Sequence, residues 1–125
     1  MLATYFLRWN VKFFEIATLR SYYGALLTEK QNDMLRMHYD EDLSLAEIAE
    51  IYGVSRQAVA DSLAKGEKSL REYDSKLRLI EKDSSILAAL ETIENDEPSK
   101  KTLDAVAQIK RILEDWYGTF WKFVR

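Results

Sequence analysis

Arg56 and Gln57 stand side by side, directly after a serine. A guanidinium fork matches the O6/N7 edge of guanine and a glutamine amide matches N6/N7 of adenine, so this pair has the chemistry to read bases in a major groove. Ser55 is a favoured helix N-cap. Ala60, Asp61 and Lys65 follow at spacings that place them on the outward side of the same helix. Asp61 repels phosphate unless it meets a cytosine amino group or pairs with a lysine. The amides near Ser44 and Ser55, with Lys65 and Lys68, are candidates to hold phosphates. No competing chemistry stands out. The single His38 completes no plausible Ser/His/acid set, cysteine is absent, and there is no Gly-rich phosphate loop and no cluster at metal-ligand spacing. We therefore expect no enzyme, no cofactor and no metal.

The elements that position these residues are legible between Ser44 and Leu63 as a helix-turn-helix. Ser44 and Glu47 form a capping box that starts the first helix. Ile48 anchors it, and Ala49 is small enough for a second helix to cross closely. Gly53 ends the helix where a positive φ is wanted, and Val54 fills the gap beneath the turn. Val59 and Leu63 face inward on the second helix, opposite Arg56, Gln57, Ala60 and Asp61. An ordinary helical hairpin with a glycine C-cap is the plainer alternative.

Thr28-Glu-Lys-Gln31, Asp42-Leu-Ser-Leu-Ala-Glu-Ile-Ala-Glu50 and Gly53-Val-Ser-Arg-Gln-Ala-Val59 resemble region four of bacterial sigma factors. Tyr23, Ala25-Leu-Leu-Thr-Glu-Lys-Gln31 and the Ser-Arg-Gln-Ala-Val core make the chain similar to the small sigma-like YlxM proteins, over about residues 20 to 82. The resemblance implies a sigma-region-four-type fold continued by a long helix. It also implies a regulatory role in the signal recognition particle pathway, because that family is encoded beside components of the particle. Two departures stand out. Ser62 sits where many such motifs carry an aliphatic residue, and residues 1–14 and the tail after Leu113 match no pattern.

Composition bounds the rest. A chain of 125 residues, 47% hydrophobic and 31% charged, with one proline and four glycines, suggests a soluble all-α protein. The lack of cysteine fits a cytoplasmic setting. A net charge of −3 argues against a strongly basic nucleic-acid binder. Between residues 44 and 71, Arg56, Lys65, Lys68 and Arg71 are cancelled in number by Glu47, Glu50, Asp61 and Glu67. Counterion release from one copy should then be small.

The reading divides the chain into an apolar extension over 1–14, a helix-turn-helix domain over 15–66, and a long helix with C-terminal helices over 67–125. Residues 1–14 are too often interrupted by Arg8, Asn10 and Lys12 to span a membrane, and they lack the marks of a signal peptide. They either pack on the core or bind a partner. Ile16, Leu19, Tyr22, Tyr23 and Leu26 make the apolar face of the next helix. Thr28 and Gln31 cap another, which carries Met34, Leu35, Met37, Tyr39 and a packed His38. The acidic turn at residues 40–42 lacks the ligand spacing of a calcium loop and reads as a solvated connection.

No breaker except Gly66 interrupts Lys65 to Lys82, which predicts one long helix. Its stripe of Leu70, Tyr73, Leu77 and Ile80 suits either a homodimer seam or packing within its own chain. A short helix starting at Ser84-Ser85 and a last one opened by Pro98 follow. The aromatic tail, Trp116, Tyr117, Phe120, Trp121 and Phe123, suits a docking anchor better than base stacking or a membrane surface. Two functions compete: a DNA-binding regulator acting as a homodimer, or a protein- or RNA-interaction module on a signal recognition particle component.

Overall fold

The computed structural model describes the backbone of residues 2–117 and the side chains of residues 12–113. Every regular element among them is helical: α1 (Leu2–Tyr23), a 3-10 turn (Gly24–Leu26), α2 (Glu29–Tyr39), α3 (Leu45–Tyr52), α4 (Arg56–Leu77), α5 (Leu79–Asn95) and α6 (Lys100–Tyr117). The chain divides into two compact units, Met1–Lys76 and Leu77–Arg125.

In the first unit, helical spacing sets the core. Ile16, Leu19 and Tyr23 of α1 are buried, as are Met34, Leu35 and Tyr39 of α2, Ile48 and Ala49 of α3, and Val59, Leu63 and Leu70 of α4. Leu26 departs from the expected apolar face: it lies in the 3-10 turn and is 55% exposed. Helix α1 also runs without a break past residue 14, where a separate extension was expected. Thr28 caps α2 through the full capping box with Gln31. Gly66 sits inside α4, where a Cβ would come within 3.0 Å of Leu35 Cδ1, so the glycine sets how closely α4 crosses α2.

Polar contacts between the helices reinforce this core. The Tyr23 hydroxyl donates to Asp74 Oδ1 at 2.8 Å, tying α1 to α4. Glu67, nearly buried, accepts from the Tyr39 hydroxyl and pairs with Lys12 at 3.3 Å and Arg71 at 3.7 Å. A buried carboxylate so surrounded is compensated, whereas removing one partner would strand its charge. Burial, and then this bond to Glu67, push the Tyr39 phenol well above its ordinary pKa. His38 is half-buried, with Nδ1 2.8 Å from the Leu43 carbonyl oxygen, in keeping with a packed side chain. The acidic turn is exposed and ion-paired: Asp40 meets Arg20 at 2.7 Å, and Glu41 meets Arg36.

In the second unit, α5 begins directly after Arg78, which holds left-handed dihedrals of φ 53 and ψ 39. The single helix predicted from Lys65 to Lys82 is therefore broken. A left-handed turn at a residue with a Cβ costs roughly 1–2 kcal/mol, and no local breaker announces it. Ser84 and Ser85 lie within α5 and do not start it. Ser99 caps α6, its Oγ accepting from Thr102 N at 3.2 Å, so Pro98 precedes the cap and does not occupy the first turn. Leu90, Val106 and Leu113 are buried, and Lys110 pairs with Glu94 at 2.7 Å. Ile86, Ile93, Leu103, Ile109 and Ile112 remain exposed. Among the described residues no helix is long and apolar enough to cross a membrane.

Candidate nucleic-acid interface

Local chemistry fixes the turn between α3 and α4. Ser44 Oγ accepts from Glu47 N at 3.2 Å, and Glu47 Oε2 takes the Ser44 amide at 2.7 Å. Those bonds hold the Glu47 carboxyl below its usual range. Gly53 closes α3 at φ 63 and ψ 36, and the Val54 amide reaches back to the Ala49 carbonyl at 3.0 Å, a Schellman closure. Ser55 then caps α4, its Oγ accepting from Ala58 N at 3.0 Å. Three residues separate the two helices, and each stays where the residue types require it.

This turn presents the start of α4 to solvent. Arg56, Gln57, Asp61 and Lys65 are exposed, while Ala60 and Ser62 are half-buried on the flanks. Val59 and Leu63 are buried on the side facing the core, and Arg56, in line with them, is exposed because it lies at the helix end. Gln57 Nε2 donates to Asp61 Oδ1 at 2.9 Å, a hydrogen bond along one helix turn that turns the carboxylate toward the N-terminal end. Ser44 is differently engaged from the expectation for a phosphate anchor. Its amide is taken by Glu47, whose carboxylate occupies the position an anion would need. Lys68 is exposed and lies 4.0 Å from Glu72.

Charge is distributed unevenly over the first unit. Among its described side chains, Lys12, Arg20, Arg36, Lys68 and Arg71 lie within 4 Å of a carboxylate, whereas Lys30, Arg56, Lys65 and Lys76 do not. Arg56 stands on the open first turn of α4, and Lys65 on the outward face of its middle. Lys30, from the first turn of α2, joins them beside an open cleft of about 390 Å³ that it shares with Lys65, Asp61 and Ser62. Glu67 points inward and is matched by Arg71 and Lys12. The charges left between residues 44 and 71 are therefore Arg56, Lys65 and Lys68 against the exposed Glu47, Glu50 and Asp61, and it is Lys30 from outside this stretch that adds to the cations. Residue counting missed Lys30, which is far from α4 in sequence. Gly66, a glycine inside a helix, was the available signal that α2 passes close by.

The expected dimer stripe is not one continuous surface. Leu70 is fully buried within one chain. The Tyr73 ring packs 6.3 Å from that of Tyr23, and its hydroxyl donates to the Leu26 carbonyl at 3.4 Å. Leu70 belongs to the core of the first unit and Tyr73 is half-buried at its edge, because α4 turns that side toward α1. Leu77 is 44% exposed and Ile80 half-buried. The aromatic tail from Trp116 onward, and the side chains of residues 1–11, lie outside the described side chains.

Comparison with known proteins follows the same segments. Residues 11–112 match the family model UPF0122, described as "Putative helix-turn-helix protein, YlxM / p13 like", a wider span than the 20–82 stretch of the motifs. A UPF0122 protein of Desulforamulus reducens is 40% identical over 110 residues, covering 82% of this chain and 94% of the relative. One of Clostridium perfringens is 46% identical over 99 residues, 73% of this chain and 88% of the relative. One of Thermoanaerobacter is 35% identical over 103 residues, again covering 82% and 88%.

Proposed function

Because the chain belongs to the UPF0122 family of YlxM/p13-like helix-turn-helix proteins, we propose that it is a DNA-binding regulatory protein that lays the N-terminal half of α4 in a major groove. Arg56 and Gln57 read base edges from the first turn, and Lys65 and Lys68 hold phosphates farther along. Ser55 keeps the helix start in place. The observation that carries this reading is that Arg56, on the open first turn of α4, and Lys65, on its outward face, are exposed and without carboxylate partners, while the acidic Glu67 of the same helix is turned inward. A net-acidic protein can bind a polyanion when its cations are concentrated on one face.

Fluorescence anisotropy with a labelled DNA duplex and a labelled RNA hairpin, repeated across a salt series, tests the reading. We expect duplex binding that weakens linearly on a log–log plot against salt, and a weaker response to the hairpin. Tighter binding to the hairpin, or no salt-dependent binding to the duplex, counts against it.

Exposed Ile86, Ile93, Leu103, Ile109 and Ile112 favour a second reading, in which the second unit docks on protein. A component of the signal recognition particle and a second copy of this chain are the two partners to test. In the dimeric version Leu77, Ile80 and these side chains replace Leu70 and Tyr73 as the contact, and two copies of α4 address a two-fold site.

A further inference from the structure

We infer that the cleft between the first turn of α2 and the middle of α4 seats one backbone phosphate of nucleic acid, gripped by Lys30 on one wall and Lys65 on the other. The inference rests on the duplex-binding reading and extends it to an element that the helix-turn-helix does not include. The cleft of about 390 Å³ has Thr28 and Lys30 on the α2 side and Ala58, Asp61, Ser62 and Lys65 on the α4 side. Besides the two ammonium groups and the hydroxyls of Thr28 and Ser62, the lining includes the Gln31 amide, the Asp61 carboxylate and one small aliphatic side chain, and it holds no aromatic plane on which a base could stack.

Both lysines are exposed and have no carboxylate within 4 Å, although Asp61 stands one helical turn before Lys65, at the spacing where a helix ordinarily makes such a pair. The Asp61 carboxylate is instead bonded to Gln57 at 2.9 Å, toward the other end of the helix. Lys30 is steadied from the opposite side, its ammonium 5.8 Å from the centroid of the Tyr52 ring. Two ammonium groups on the two walls of one open polar cleft suit an anion that arrives with a groove. A base edge would instead require directional donor and acceptor pairs.

Binding of a random-sequence DNA duplex by wild type, Lys30→Ala, Lys65→Ala and the double variant, over a salt series, tests this. Melting curves of each variant check the fold, and Lys30→Gln repeats the first substitution with the side chain retained. Lys30→Ala should weaken binding alike on every sequence. Because the two lysines share a phosphate, the double variant should make the log–log salt slope shallower by about one in total. A slope change of about two would mean separate phosphates and would overturn the shared seat. An unchanged Lys30→Ala overturns it as well, and in both cases the duplex-binding reading stands. A wild-type protein with no salt-dependent duplex binding removes both.

Discussion

At the scale of single residues, the account depends on what each side chain of the turn is left able to do. Arg56 is exposed and without a carboxylate partner, so truncating it should leave the fold intact. Arg56→Ala should lower affinity for a preferred duplex by ~1–3 kcal/mol while scarcely changing nonspecific binding. Asp61 acts in the opposite sense, as an exposed carboxylate on the outward side of α4. Asp61→Asn should tighten binding to duplexes of any sequence, measurable in the same anisotropy titration, and an unchanged affinity would place Asp61 away from the phosphates. Gly53 tests the turn itself. A Cβ there meets nothing within 4 Å, so any loss on substitution comes from the backbone at φ 63. Gly53→Ala should cost about 1–2 kcal/mol by denaturant melting, and Gly53→Val more, because β-branching adds to the strain of a left-handed residue.

At the scale of elements, helix starts and stops were legible because their causes are local. Ser44 with Glu47, Thr28 with Gln31, and Gly53 each act within four residues, and all three behave as their types dictate. The inward stripe of Val59 and Leu63 was equally plain. What stayed hidden needs contacts between distant segments. The break at Arg78 interrupts a run with no Gly or Pro from Glu67 to Glu97, so local propensity favours continuing the helix. Lys30 reaches the α4 face only through the crossing at Gly66. That crossing makes a prediction: Gly66→Leu should destabilise the protein by ~1–3 kcal/mol, since even a Cβ is at 3.0 Å from Leu35. The contact between α2 and α3 predicts a pH effect. Tyr52 donates to Asp33, and this bond pushes the phenol up to about 12 while Tyr52 and Arg36 hold Asp33 below its usual range. A phenol whose pKa is raised on folding stabilises fully below its ordinary value of 10 and loses that contribution as pH rises through about 12. Tyr39 shifts in the same direction. Denaturant midpoints between pH 9 and 12 should therefore fall for wild type and fall less for Tyr52→Phe; parallel slopes would contradict the bond.

At the scale of the whole molecule, a net charge of −3 and one exposed reading helix set the affinity problem. One copy can neutralise few phosphates, so tight binding calls for two copies on a two-fold site, with half-sites about one helical turn of DNA apart. Burial of Leu70 moves the contact to the second unit, where a variant can be made without opening the first core. Sedimentation of wild type should show a dimer, and Ile86→Glu/Ile109→Glu should sediment as a monomer. A monomeric wild type at high concentration would leave these residues to another protein partner. The central claim, that Arg56 and Gln57 at the start of α4 read base sequence, is tested most directly by selecting bound duplexes from a randomised DNA pool with wild type and with Arg56→Ala. The account predicts that wild type enriches a motif with a fixed guanine and that Arg56→Ala loses preference at that position while keeping it elsewhere. Enrichment of no motif by wild type, or of the same motif by both proteins, would contradict it.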